Sequence, residues 1–192
     1  MKVSAAVMAG GKSRRMGQDK AWIPLDGRPI IARVIDVLRE VADEVLIVAN
    51  DERYARLGLR VVPDRFPQGG ALGGIATGVG AAEHDQVLVA ACDMPFQRPD
   101  VWRALLGQAE GADAVVPRIG GQLETLHALY TKACLPAMEQ ALATGRLRVI
   151  SFFPDVRLRE VGEAELRVID PDLRAFTNVN TPEELAALVA SG

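Results

Sequence analysis

The stretch VSAAVMAGGKSRRMGQDKAW, Val3 to Trp22, decides how the rest of the chain is read. Val3–Met8 is a short apolar run of the length expected for a buried strand. From Ala9 onward the composition changes abruptly to glycines and cations, with almost nothing bulky before Trp22. A connection that only reverses the chain takes about 4–6 residues, and this one is much longer. An apolar strand that opens into a long glycine-rich loop belongs in an open α/β sheet, where ligands bind beyond the carboxyl ends of the strands.

The remainder of the chain follows the same alternation. Val45–Val48, Arg60–Val62, Val87–Ala91 and Ala114–Val116 read as strands. Ile30, Ile31, Val34, Ile35, Leu38 and Val41 recur at helical spacing behind Pro29, and Val101, Trp102, Leu105, Leu106 and Ala109 do so behind Pro99. Strands alternating with helices predict parallel pairing and a three-layer α/β/α sandwich. The second half is less regular. Thr125–Tyr130 and Arg157–Val161 read as strands and Lys132–Ala143 as a helix. Thr181-Pro182-Glu183-Glu184 reads as a capping box that opens a helix through Val189. With no repeat or linker, residues 1–192 read as one domain.

Composition excludes several classes of function. A net charge of −3 argues against a general nucleic-acid binder, so the cations of the first loop are local equipment. Cys92 and Cys134 have neither metal-ligand spacing nor the density of a disulfide scaffold, and two histidines add little. No apolar stretch approaches the ~18–20 residues needed to cross a membrane, and Val3–Met8 is too short for a secretion signal. The expected location is the cytoplasm.

The first loop has the chemistry of an anion site. Gly10, Gly11 and Gly17 let backbone amides approach a phosphate closely, and Lys12, Arg15 and Lys20 add charge-assisted hydrogen bonds. It is not a Walker A loop, because Ala6 stands where that motif needs glycine. Nor is it the dinucleotide fingerprint, because Gly10 and Gly11 are adjacent.

Ala9–Ala21 resembles the N-terminal motif of the nucleotidyltransferases with a Rossmann-like, GT-A-like core, and in particular the molybdenum cofactor guanylyltransferases. The likeness runs from Val3 to about Leu188, through Gly69–Ile75, Cys92-Asp93-Met94-Pro95, Gly120–Tyr130, Gly145–Val149 and Asn178-Val179-Asn180-Thr181-Pro182. Two positions depart from the commonest pattern: Ala71 and Thr125 stand where proline is usual. The resemblance implies transfer of GMP from GTP to Mo-molybdopterin, with release of pyrophosphate and formation of the guanine dinucleotide cofactor. It implies nucleotide contacts from Met8, Ala9, Gly10, Gly11, Lys12, Lys20, Asn50, Asp64 and Asp93. Arg15, Lys20 and Asp93 would carry catalysis, with Asp93 holding Mg2+. Arg146, Arg148, Asn178 and Asn180 would face the acceptor. Transient contact with cofactor-insertion enzymes or recipient molybdoenzymes is a further implied partnership.

The residues also allow plainer roles. Asn50-Asp51 suits a turn, Asp64 a loop cap and Asp93 an Asx turn. Gly69–Ile75 suits either close approach of a nucleotide or a helix pressed onto a sheet, the former being the expectation. Gly145–Val149 suits a solvated basic turn, and His127 a satisfied structural residue. Cytidylyl transfer on the same fold and a non-catalytic nucleotide-binding protein are the rival functions.

Overall fold

β1 (Val3–Met8) sits between two parallel neighbours, and both of its faces are buried. The computed structural model describes residues 2–9, 20–179, 181 and 184. After β1 come a small hairpin of β2 (Pro24–Leu25) and β3 (Arg28–Pro29), then α1 (Ile30–Arg39), β4 (Glu44–Val48) and β5 (Arg60–Val62). The chain continues through α2 (Gly70–Ala81), β6 (Gln86–Ala91), α3 (Pro99–Gly107), β7 (Ala114–Ile119), β8 (Gln122–Leu123) and β9 (His127–Thr131). It then passes through α4 (Leu135–Ala143), β10 (Leu158–Gly162) and α5 (Glu163–Leu166).

Eight strands of the described residues form one sheet in the order β10-β7-β9-β6-β1-β4-β5, with β8 paired to β7. Pairing is parallel except around β9 and β8. Helices cover both faces. Ala5 and Val7 of β1 join Ile30, Ile31, Val34 and Leu38 of α1 and Val101, Trp102 and Leu105 of α3 on one side. Ala6 joins Leu72, Ile75 and Val79 of α2 and Met138 of α4 on the other. This is a mostly parallel sheet in an α/β/α sandwich, and burial on both faces is why its central strands read as unbroken apolar runs.

The second half departs from the sequence reading in its details. The strand expected at Thr125–Tyr130 is β9, shifted to His127–Thr131, and it runs against β6 and β7. The cause is the return after β7. Gly120 and Gly121 have φ of +55° and +78° and form a two-residue turn, with Ile119 opposite Gln122. Two consecutive positive φ values suit a tight hairpin, which can join only antiparallel strands. The helix expected from Lys132 starts with a 3-10 turn at Lys132–Cys134 before α4. The strand expected at 157–161 is β10, one residue later. In the C-terminal capping box the Thr181 hydroxyl accepts from the Glu184 N–H at 3.1 Å. The rest of that expected helix lies outside the described residues.

His127 is a core residue, fully buried, stacked on Trp102 at 3.9 Å and tilted against Phe176 at 4.6 Å. Neither ring nitrogen has a hydrogen-bond partner among the described residues, so it is structural but not satisfied. Burial pushes its pKa down to about 3. The unfolded chain binds a proton near the ordinary histidine value of about 6.5, while the folded chain refuses it. His127 therefore leaves stability intact above about pH 6.5 and erodes it as the pH falls toward 3, by up to about 1.4 kcal/mol per pH unit. His127→Leu is expected to flatten the fall in urea midpoint between pH 6.5 and 4.5. Parallel pH profiles for the two proteins would refute this.

Candidate active site

The carboxyl ends of β1, β4, β5 and β6 lie along one edge, and backbone pairing continues just past them. Ala9 N–H donates to Val48 O at 3.0 Å, Ala49 N–H to Val62 O at 3.0 Å, and Cys92 N–H to Met8 O at 3.3 Å. Ala9, Asn50, Asp64 and Asp93 therefore leave the sheet side by side. Lys20 opens a 3-10 turn, Lys20–Trp22, anchored by buried Ala21 and by Ile23 N–H donating to Lys20 O at 3.1 Å. That anchor brings Lys20 Nζ to 3.6 Å from Asp93 Oδ2, with the two side chains 26% and 23% exposed.

Asp93 follows the last residue of β6 by two positions, and its surroundings hold it firmly. Gln97 donates from Nε2 to Ala91 O at 3.1 Å and accepts from Trp102 Nε1 at 3.1 Å, which closes the turn beyond the acid. The Asp93 carbonyl accepts from Val179 N–H at 2.8 Å. Asn178, exposed, is thereby brought beside Asp93. Burial raises the Asp93 pKa, and the nearby Lys20 ammonium offsets only part of that rise. The site thus contains a carboxylate whose desolvation is incompletely compensated.

Asn50 and Asp64 form a second unit. Asn50 Oδ1 accepts from Asp64 N–H at 2.8 Å. Asp64 Oδ1 accepts from Phe66 N–H at 2.8 Å and from the Thr77 hydroxyl at 3.1 Å. The turn reading and the site reading therefore coexist, because the bonds that shape the loop also fix its carboxylate. Asp51 caps the neighbouring 3-10 turn by accepting from Arg53 N–H at 2.9 Å.

Packing accounts for part of the glycine-rich stretch. An added Cβ on Gly73 would come within 2.5 Å of Phe66 O. One on Gly78 would meet Ala6 Cβ at 2.9 Å and Met8 Cε at 3.1 Å. Gly69 N–H also donates to Phe66 O at 2.7 Å. The glycines let α2 close on β1 at Gly78 and on the turn that bears Asp64 at Gly73, so helix packing accounts for these two positions.

Of the residues expected to face the acceptor, Arg146 is engaged by its own loop. It donates to Thr144 Oγ1 at 3.2 Å and to Ser151 O at 3.0 Å. Arg148 is exposed and its guanidinium makes no hydrogen bond or ion pair among the described residues. Gly10, Gly11, Lys12, Arg15 and Asn180 lie outside the described residues. Thr77, Gln97 and the Val179 amide were not legible in the sequence, because each acts through a partner from a distant element. A cavity of about 700 Å³ opens beside Phe96 and Arg98 on the α1 flank. Its cations are largely neutralised already: Arg28 pairs with Asp36 at 2.8 Å, Arg33 with Asp26, and Arg98 with Asp100 at 2.6 Å.

A model of the MobA-like NTP transferase domain matches residues 5–158. The chain belongs to the MobA-like NTP transferase family. Among its relatives, a probable molybdenum cofactor guanylyltransferase of Pelotomaculum thermopropionicum is 44% identical over 186 residues, covering 96% of this chain and 91% of that protein. The molybdenum cofactor guanylyltransferase of Desulfosudis oleivorans is 39% identical, covering 95% and 92%. The crystal structure of molybdopterin-guanine dinucleotide biosynthesis protein A from Archaeoglobus fulgidus superposes with a TM-score of 0.83 at 27% identity, covering 98% of each chain. In this MobA-like chain the described part of the sheet edge holds Lys20, Asp93, Asn50 and Asp64.

Replacing a helical glycine by alanine ordinarily stabilises by up to about 1 kcal/mol. That is the outcome expected for Gly107→Ala, where the new methyl meets nothing within 4 Å. Gly73→Ala has to displace the Phe66 carbonyl and is expected to cost about 1–3 kcal/mol. Chemical denaturation of the two variants side by side checks the opposite signs.

Proposed function

We propose that this MobA-like NTP transferase transfers the GMP moiety of GTP to the terminal phosphate of Mo-molybdopterin, releasing pyrophosphate. The observation that carries this reading is the Lys20–Asp93 pair across the tips of β1 and β6, 3.6 Å apart. It sets a cation beside an under-compensated acid where the glycine-rich loop begins and ends. The relatives named as molybdenum cofactor guanylyltransferases along nearly their whole length support the choice of substrates.

An oxygen of the acceptor phosphate forms a bond to the α-phosphorus of GTP. The bond from that phosphorus to the bridging oxygen of the β-phosphate breaks, and pyrophosphate leaves with the electron pair. A phosphate monoester is already ionised near neutral pH, with a second pKa of about 6. No side chain has to remove a proton. His127, sealed in the core, is not placed to do so. Catalysis then rests on alignment and on neutralising charge, as in phosphoryl transfer generally. Lys20 supplies a point charge for phosphate oxygens on the donor side. Lys12 and Arg15 are assigned to the same triphosphate, and Arg148 with Asn178 and Asn180 to the acceptor.

The donor set fits Mg2+. No group of three or more His, Cys, Asp or Glu side chains suited to a metal occurs among the described residues. Asp93 offers a partly buried carboxylate at the strand tips, 3.6 Å from Lys20 Nζ. Magnesium takes one or two carboxylates and fills its remaining positions with phosphate oxygens and water. Bound to Asp93, Mg2+ would neutralise phosphate charge and polarise the α-phosphoryl group.

Pyrophosphate release from GTP with Mo-molybdopterin tests the reading, with CTP as the competitor. GTP is expected to turn over and CTP is not; the reverse preference would overturn the assignment. Asp93→Ala is expected to lower the rate by about 10²–10³, the usual cost of removing one preorganised charge stabiliser. Lys20→Ala is expected to weaken GTP binding and slow transfer. Chelation of divalent cations is expected to stop turnover, and added Mg2+ to restore it.

A further inference from the structure

Thr77 lies in the middle of α2, fully buried, with no place in the chemistry described above. A threonine hydroxyl inside a helix usually bonds back to a carbonyl of its own preceding turn. Here it reaches out of the helix. Thr77 Oγ1 accepts from Arg65 N–H at 3.0 Å and donates to Asp64 Oδ1 at 3.1 Å. Phe66 N–H donates to the same oxygen, so Oδ1 is occupied twice. Asp64 Oδ2 makes no hydrogen bond among the described residues. Asn50 Oδ1, accepting from Asp64 N–H, fixes the backbone from the opposite side. Gly73 leaves the room in which the Phe66 carbonyl seats.

We propose that Thr77 is a positioning residue for nucleoside selection: by engaging Oδ1 it turns Asp64 so that Oδ2 alone is offered to a donor on the bound nucleotide. This rests on the reading that Asp64 faces the nucleoside of GTP. A carboxylate with one oxygen fixed presents a single acceptor in a single direction. A freely rotating one spreads its two oxygens over many geometries and discriminates poorly between donors. The donors that fit are the 2-amino group of guanine or the ribose 2′-hydroxyl, which share the same chemistry. The cost of leaving a fixed, partly buried acceptor unpaired is what rejects a nucleotide lacking the donor.

Calorimetric titration of the Mg2+-containing protein with GTP, ITP and 2′-deoxy-GTP, without acceptor, tests the inference. Wild type is expected to bind GTP at least tenfold more tightly than one of the two analogues, and that analogue identifies the donor group. Asp64→Ala should abolish the preference. Thr77→Val, which keeps the shape and loses the hydroxyl, should shrink it to threefold or less, and Thr77→Ser should restore it. Thr77→Ala stands in with the same expectation if the valine variant fails to fold. A Thr77 variant that weakens all three nucleotides equally, or leaves the preference intact while Asp64→Ala abolishes it, refutes the role of Thr77 alone. If Asp64→Ala changes nothing, or wild type prefers neither analogue less, the assignment of Asp64 to the nucleoside falls and takes the inference with it.

Discussion

Parallel pairing between β1 and β6 sets Met8 directly opposite Ala91. Two parallel strands in register must release their chains at the same edge, so whatever follows Met8 and whatever follows Ala91 leave together. The Lys20–Asp93 pair follows from that. The loop after β1 ends on the anchored turn at Lys20, and the segment after β6 passes through Asp93 within two residues. Burial of both faces of β1 locks the register, because a slip by one residue would exchange the apolar sets facing α1 and α2.

The fold was readable wherever one physical signal dominated. Val3–Met8 and Val87–Ala91 are apolar throughout because helices cover both sides, and α1 declares itself through the spacing of Ile30, Val34 and Leu38. Asp93 was legible because a lone acid directly after such a run can only sit at the end of a strand. The direction of β9 was not, since parallel and antiparallel strands share one side-chain period. Only the φ angles of Gly120 and Gly121 decide between them. The glycines of α2 were visible, but their partner was not. The Phe66 carbonyl that demands Gly73 is a backbone atom, and no side-chain pattern reports it. Arg146 looked free for an anion, yet it is held by Thr144 and Ser151 of its own turn.

Among the described residues of the edge, Lys20 and Asp93 form a close, oppositely charged pair, and the second unit is neutral amide and hydroxyl chemistry gathered on one carboxylate. That division suits a reaction whose attacking group is already an anion. On the proposed function, charge is placed where phosphates meet, and hydrogen-bond direction where a nucleoside is told from its analogues. The buried stack of Trp102, His127 and Phe176 lies behind this edge, and Trp102 reaches the turn beyond Asp93 through Gln97. Core packing and the placement of the acid are thereby mechanically continuous.

The bond from the Val179 amide to the Asp93 carbonyl also has a temporal meaning. Synthesis delivers residue 179 after every strand of the sheet has emerged, so a nascent chain can complete its layers while the peptide bearing this acid still lacks a tether. The clasp therefore joins a late-arriving segment to a framework whose described strands all precede it in sequence.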